Sequence, residues 1–437
     1  MKRLHVPGVS IGIYHKGKEW TAGFGVTSIE HPLPVTPDTL FQVGSISKTF
    51  TGTLLMMLAL SEQGKVNLDA PVRKYIKDLK LSDESVAKNV TIRHLLTHTG
   101  GWVGDYFNDF GNGDDALDNM VKDIAKLPQI QPLGKIWSYN NTGFNIASRV
   151  IEVVTKKTYE QALQEMALDP LGLNMTFMYP SDILFTHRFV VGHQKVKGKV
   201  QVARPWAIGR AGNGVGGVVS TVRDLLKYAR FHLSNGKVKG RRIIKQKSLE
   251  AMRVKQITQG PRGDMGITWF IRYADTLTAY AHGGATHGQQ AYFFFIPEKD
   301  FALAILANSD DGGVLTAQAF GWALDLYFGI KLKSPKPLAN PQERNEFAGR
   351  YKIGTGCFDI KVKGKYLVCH DIPLGGFPKP DSPPGPAAPP VRFAFYDRDK
   401  LIGLDEPYKD ALADIIRDGK GHVECFRVGG RAHKKIS

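Results

Sequence analysis

The 437-residue chain has no run of about 18 consecutive apolar residues, so nothing in it reads as a membrane-spanning helix. Its first residues, Met1-Lys-Arg-Leu-His-Val-Pro-Gly8, are basic but lack the apolar stretch of a signal peptide. The expectation is a cytoplasmic protein, or an exported one that begins after processing. Cysteine is scarce, with only Cys357, Cys369 and Cys425, all near the C-terminus. An odd number without C-x-x-C spacing argues against a disulfide framework and a zinc site, and leaves thiols packed in a core. The net charge of +17 comes with scattered Lys and Arg and no recognition helix or RNA-binding motif. That argues against a nucleic-acid partner and fits solubility or attraction to anionic surfaces. No internal repeat is present.

What is present is ordinary globular material, 42% apolar and 23% charged, in a chain too long for one small core. Val9–His15, a Lys16-Gly17-Lys18 turn and Glu19–Val26 read as a β-hairpin. The run Thr49–Glu62 is apolar nearly all round and reads as a buried helix. Asn89–Gly101 reads as a short helix closed by its glycines. Within it His94 and His98 stand at i, i+4, without the Glu of H-E-x-x-H or an obvious third ligand. They read as buried, hydrogen-bonded histidines, and no metal or other cofactor is expected. Trp102–Asp115 lacks a calcium loop's closing Glu and reads as a site-lining or surface loop.

Phe144–Thr155 is the next helix, Gly212–Ser220 a flexible loop, and Thr221-Val-Arg-Asp224 a capping box opening the helix Leu225–His232. Ile267–Tyr273, Ala279–Gly283, Gln290–Ile296 and Phe301–Asn308 read as strands of an antiparallel sheet joined by the N-terminal hairpin. Phe320–Phe328 would close it as a helix. Past the proline-bearing Ser334–Pro341, alternating strands at Phe358–Val362, Tyr366–His370, Val391–Tyr396 and His422–Val428 suit a small antiparallel β-barrel or sandwich. Pro373–Pro390, with eight of the 24 prolines, reads as a long loop. The expected fold is α/β, an antiparallel sheet flanked by helices plus an all-helical region, with a small C-terminal β-barrel. The expected division is residues 1–333, a linker 334–342, and a lipocalin-like β domain 343–437.

Ser45 and Lys48 lie three residues apart where the chain turns into the buried helix, so the Lys48 side chain reaches the Ser45 hydroxyl. The helix N-terminus adds free N–H groups where an oxyanion would form. Desolvation lowers a lysine's pKa, which would let Lys48 activate the serine as a nucleophile. Alone, S-x-x-K also fits a capping serine beside a solvated lysine.

Ser45-Ile-Ser-Lys48 is followed by Tyr139-Asn-Asn141 and His282-Gly-Gly284, in that order and at domain-scale separations. Together with Leu95–Gly101, Leu168–Leu173 and Gly216–Thr221, they make residues 7–330 resemble the penicillin-binding protein and class C β-lactamase-like serine hydrolases. The resemblance implies acylation of Ser45 and release of the acyl group by water. It also implies proton shuttling by Lys48 and Tyr139, with Tyr139 the favoured base if Lys48 draws it toward the phenolate. Asn141 would orient the substrate amide and bond Lys48. The N–H groups of Ser45 and Ala285 would form an oxyanion hole, with Gly284 allowing close approach.

His282 stands where many relatives carry Lys. A neutral imidazole holds a substrate carboxylate less firmly, so an amide- or ester-cleaving peptidase or esterase is expected rather than an efficient β-lactamase. The substrate would be a small molecule or peptide. Alternatives are an acyltransferase of the same fold and a catalytically silent, penicillin-binding relative.

Overall fold

The computed structural model describes the chain except residues 61–63, 340–344, 355, 376–382 and 385–388, and the side chain of Leu60. The end of the Ser334–Pro341 linker and most of the Pro373–Pro390 loop therefore lie outside the described residues. No helix among the described residues is long and apolar enough to cross a membrane.

The chain opens with β1 (Gly8–His15) and β2 (Lys18–Gly25). Lys16 and Gly17, both at positive φ, make the two-residue turn whose twist matches the strands. Six more strands follow late in the sequence: β3 (Ile257–Thr258), β4 (Asp264–Met265), β5 (Phe270–Ala274), β6 (Leu277–Thr286), β7 (Gln289–Ile296) and β8 (Phe301–Ala307). They form one antiparallel sheet in the order β2-β1-β8-β7-β6-β5-β4-β3. β8 reads FALAILA and is buried at every position, because both faces of the sheet are covered.

One face packs against α3 (Val222–Leu233) and, beyond it, the helical region; the other packs against α4 (Gly312–Phe328). α4 starts eight residues earlier than the Phe320–Phe328 expected from sequence. Its Gly312-Gly313 opening obscures the start.

The helical region is built around α1 (Ser47–Leu60), whose Leu54, Leu55 and Met56 are fully buried. Truncating one of them to alanine would cost about 2–5 kcal/mol. Beside it runs α2 (Asn141–Thr155), capped by the Asn140 side chain on the Gly143 N–H. The helix expected over Asn89–Gly101 is only Ile92–Leu96 and ends at Thr97, so Gly100 and Gly101 act beyond its cap. Gly212–Ser220, expected as a flexible loop, is a largely buried stretch in which a wide π-helical turn over Asn213–Gly217 leads to a short strand. Thr221 caps α3 as expected. Asp224, however, turns its carboxylate to the Met175 N–H and the Thr176 hydroxyl instead of closing a capping box.

Gly349–Lys435 forms a closed antiparallel barrel of eight strands in sequence order, of which the first six are β9 (Gly349–Ile353), β10 (Gly356–Lys363), β11 (Tyr366–Pro373), β12 (Val391–Asp397), β13 (Lys400–Gly403) and β14 (Leu412–Arg417). Its core gathers Phe347, Tyr351, Phe358, Phe393 and Phe426. The three cysteines are free and buried. β15 (Val423–Val428) and β16 (Arg431–Lys435) are joined by Gly429-Gly430, both at positive φ. That hairpin leans onto the hydrolase-like region, not out to solvent.

Candidate active site

Ser45 sits in the tight turn Gly44–Ile46 that runs into α1, and one helical turn on, Lys48 is fully buried. Lys48 Nζ stands 3.0 Å from Ser45 Oγ and donates to the Val215 carbonyl at 2.7 Å. Among the described residues no carboxylate bonds to it. Burial, reinforced by the charge of Arg431, holds its pKa well below the ordinary lysine range, and the charge of Asp105 opposes this.

Tyr139 lies at the start of the turn into α2, with Lys48 Nζ 5.1 Å from its ring centroid. Burial pushes its phenol up, with the neighbouring Ser45 hydroxyl and the Arg431 charge pulling back. The two shifts run against a phenolate base: the lysine is driven toward its neutral form and the tyrosine is kept protonated. His98 stacks on Tyr139 with centroids 4.3 Å apart, and its Nδ1 meets the Asn140 backbone. His94 pairs with Thr91 in the capping box of its short helix. No cluster of His, Cys, Asp or Glu suited to a metal is found among the described residues.

β6 forms the opposite wall. His282 is buried, and its Nδ1 donates to the Gly283 carbonyl at 2.6 Å, leaving Nε2 as an unpartnered acceptor. The ring stacks on Phe270 at 4.5 Å and lies 6.4 Å from Tyr139. Burial, then the Lys48 charge, lowers its pKa to about 3, so it is a neutral imidazole. Gly284 passes so close to the nucleophile turn that a Cβ there would land on the Val43 carbonyl oxygen, 3.1 Å from the Ser45 nitrogen. Gly44, at φ 54, presses equally on the Ala285 nitrogen. The backbones at Ser45 and Ala285 are thus brought close together, and Ala285 itself is exposed. Backbone N–H donors so placed suit an oxyanion.

Asn141 departs from expectation. Its Nδ2 donates to Asp105 Oδ1 at 2.7 Å and makes no bond to Lys48, whose partners are Ser45 and Val215.

Sequence reasoning missed Asp105 and Arg431 altogether. Arg431 grips Asp105 with two bonds of 3.0 Å and sets its guanidinium 4.8 Å from the Tyr139 ring centroid. The barrel hairpin is fastened there by its backbone. Tyr139 N–H donates to the Gly430 carbonyl at 2.9 Å, and Ala432 N–H donates to Ser138 Oγ at 3.1 Å. The only local hint was the Gly-Gly turn before Arg431.

The wall behind Lys48 was also missed. Glu160, 4% exposed, accepts from Asn213 Nδ2 at 2.7 Å and pairs with Arg210 at 3.3 Å. This clamps the segment whose Gly214 and Val215 carbonyls receive Thr51 and Lys48.

Residues 1–326 match the family model described as Beta-lactamase. Penicillin-binding protein 4 of Amycolatopsis lactamdurans is 31% identical over 351 residues, covering 78% of this chain and 90% of that protein. A beta-lactamase of Providencia stuartii is 26% identical over 338 residues, covering 70% and 84%. The crystal structure of SurE covers 100% of this chain and 96% of its own, with TM-score 0.78 at 22% identity, a likeness of fold that takes in the barrel. Fold and matches define the class: serine hydrolases of the beta-lactamase and penicillin-binding protein type. Within that class, the chain belongs to the beta-lactamase family.

Proposed function

We propose that the protein cleaves an amide or ester through an acyl-enzyme on Ser45, with neutral Lys48 as the base. The carrying observation is the 3.0 Å approach of Lys48 Nζ to Ser45 Oγ in surroundings that disfavour the ammonium. Ser45 gives its proton to Lys48 as the Oγ–C bond forms, and the carbonyl oxygen becomes an anion beside the Ser45 and Ala285 N–H groups. As the C–N or C–O bond breaks, the leaving group takes the proton back from the Lys48 ammonium. Water then attacks the ester, its proton passing to Lys48, and Ser45 is restored. Tyr139, kept as a phenol, donates and relays a proton but does not serve as the primary base.

A neutral His282 offers a substrate carboxylate little, which favours peptidase or esterase action over efficient β-lactam hydrolysis. The fixed charge beside the cleft is Arg431. In the division we propose, 1–333, 334–342 and 343–437, it belongs to the C-terminal unit. Asn141, tied to Asp105, orients the substrate amide through its carbonyl oxygen.

A fluorophosphonate or penicillin label, located by peptide mapping, tests the nucleophile. A panel of p-nitrophenyl esters, D- and L-amino-acid amides and nitrocefin tests the substrate class. Labelling at Ser45 with faster turnover of esters or amides than of nitrocefin is expected. An unlabelled Ser45, or nitrocefin as the best substrate, would overturn the reading.

A further inference from the structure

The net charge of +17 is unevenly placed. Gly236–Ser248 holds six Lys or Arg and no acid, and the hairpin Lys237–Val238/Arg241–Arg242 presents four of them to solvent. Among the described residues, none of the six takes part in an ion pair. Arg242 spends its bonds on the Asn235 and Ile244 carbonyls.

The hairpin has a fixed place. It hangs from the C-terminal end of α3, where Gly236 N–H donates to the Phe231 carbonyl. Arg230, in the last turn of α3, pairs with Glu19 at 3.0 Å, just past the β1–β2 turn. That turn adds exposed Lys16 and Lys18. At the same end of the sheet, Phe328 closes α4 against Phe301 and His15. The chain leaves it through Lys331-Leu332-Lys333, all exposed. The acids here are fewer and partly engaged, Glu19 by Arg230 and Asp300 by the Tyr14 hydroxyl, leaving Asp275, Glu298, Glu250 and Asp325.

Apolar side chains stand exposed beside these cations, among them Trp20 at 48%, Leu332 at 49% and, in the last turn of α4, Leu326 at 62%. Lysines and arginines interleaved with exposed tryptophan and leucine suit the headgroup zone of an anionic bilayer, where the cations meet phosphates and the apolar groups enter the acyl boundary. A nucleic acid would engage the cations but leave Leu332 without a role. The catalytic segment lies at the far end of β6. Ala285 is eight residues along the strand from Leu277, about 26 Å at the rise of a β-strand. A protein seated by its basic end keeps its cleft facing solvent.

We propose that this end of the sheet, centred on the Lys237–Arg242 hairpin, is a docking surface for a bilayer rich in anionic phospholipid. The proposal stands independently of the chemistry assigned to Ser45.

The test is sedimentation of the full-length protein with vesicles of about one-third phosphatidylglycerol in phosphatidylcholine, beside pure phosphatidylcholine vesicles. Binding to the first only, weakened steeply by raising NaCl from low to physiological strength, is expected. A Lys237→Gln, Lys239→Gln, Arg241→Gln, Arg242→Gln variant should bind at least about tenfold more weakly. Its circular-dichroism spectrum and melting temperature should match the parent's, which shows that it is folded. Lys16→Gln with Lys18→Gln should weaken binding by a smaller factor. The proposal fails if phosphatidylglycerol vesicles do not bind at low salt, or if the fourfold variant binds as the parent does. Release by inorganic phosphate, where chloride of equal ionic strength has no such effect, would show a discrete phosphate site in place of a membrane surface. Binding to duplex DNA without binding to vesicles would make the partner a nucleic acid and overturn it equally.

Discussion

Two basic side chains flank the ring of Tyr139, Lys48 from the core helix and Arg431 from the barrel hairpin, 5.1 and 4.8 Å from its centroid. Their surroundings are opposite. Lys48 is fully buried between a hydroxyl and a carbonyl, and burial drives it toward the neutral amine. Arg431 keeps about a third of its side chain in solvent and is gripped by Asp105, which secures its charge. One side chain can therefore give and take a proton, while the other can only hold a field. The two are also linked, because the Arg431 charge is part of what holds Lys48 down. The barrel, sharing none of the three motifs, thereby bears on the protonation of Lys48.

The comparison breaks most visibly at Lys48. Ser45→Ala or Lys48→Ala should each lower kcat/KM by about 10³-fold or more, and the double variant by little further, since the residues act as a unit. Lys48→Arg should be as inactive as Lys48→Ala, because a guanidinium keeps charge but cannot be the base. Steady-state kinetics on one chromogenic ester checks all of these.

Arg431→Gln should cost about 10- to 100-fold in kcat/KM. Removing a positive charge favours the Lys48 ammonium, so its pKa rises and the active amine is present only at higher pH. The acid limb of the pH–rate profile should move upward. Tyr139→Phe deletes a hydroxyl but leaves the proposed base, so a loss of about 10- to 100-fold, with the acid limb in place, is expected. A larger loss with a displaced limb would return the base to Tyr139. Asp105→Asn should have the smallest effect and the opposite sign to Arg431→Gln. The Asp105 charge raises the Lys48 pKa, so its loss lowers that pKa and moves the acid limb downward.

What could be read in the sequence follows the same division. Ser45 and Lys48 are legible because three residues of helix bring them together, and the strands because their apolar runs end in clear turns. Tyr139, Asn141 and His282 are legible only as a set, by the order of three short motifs. Arg431 and Asp105 are 326 positions apart. No periodicity encodes such a meeting, since it depends on how a closed barrel sits against the rest of the chain. The Asn141 bond was misread for the same reason, its true partner being half of that pair. The choice between Lys48 and Tyr139 as base was not legible, because burial weighs on lysine and phenol in opposite senses and burial is a property of the folded site. Glycines misled twice: Gly100-Gly101 does not end its helix, and Gly212–Ser220 is a packed wall.

The central claim, that Lys48 is the neutral partner and Tyr139 the protonated one, is tested most directly by NMR titration. The Lys48 side chain would be followed through its isotope-labelled Cε and assigned by difference from Lys48→Arg. The account predicts that it titrates well below ordinary lysines, and closer to them in Arg431→Gln. A Lys48 that titrates with the surface lysines, beside a Tyr139 ring already ionised at neutral pH, would contradict it.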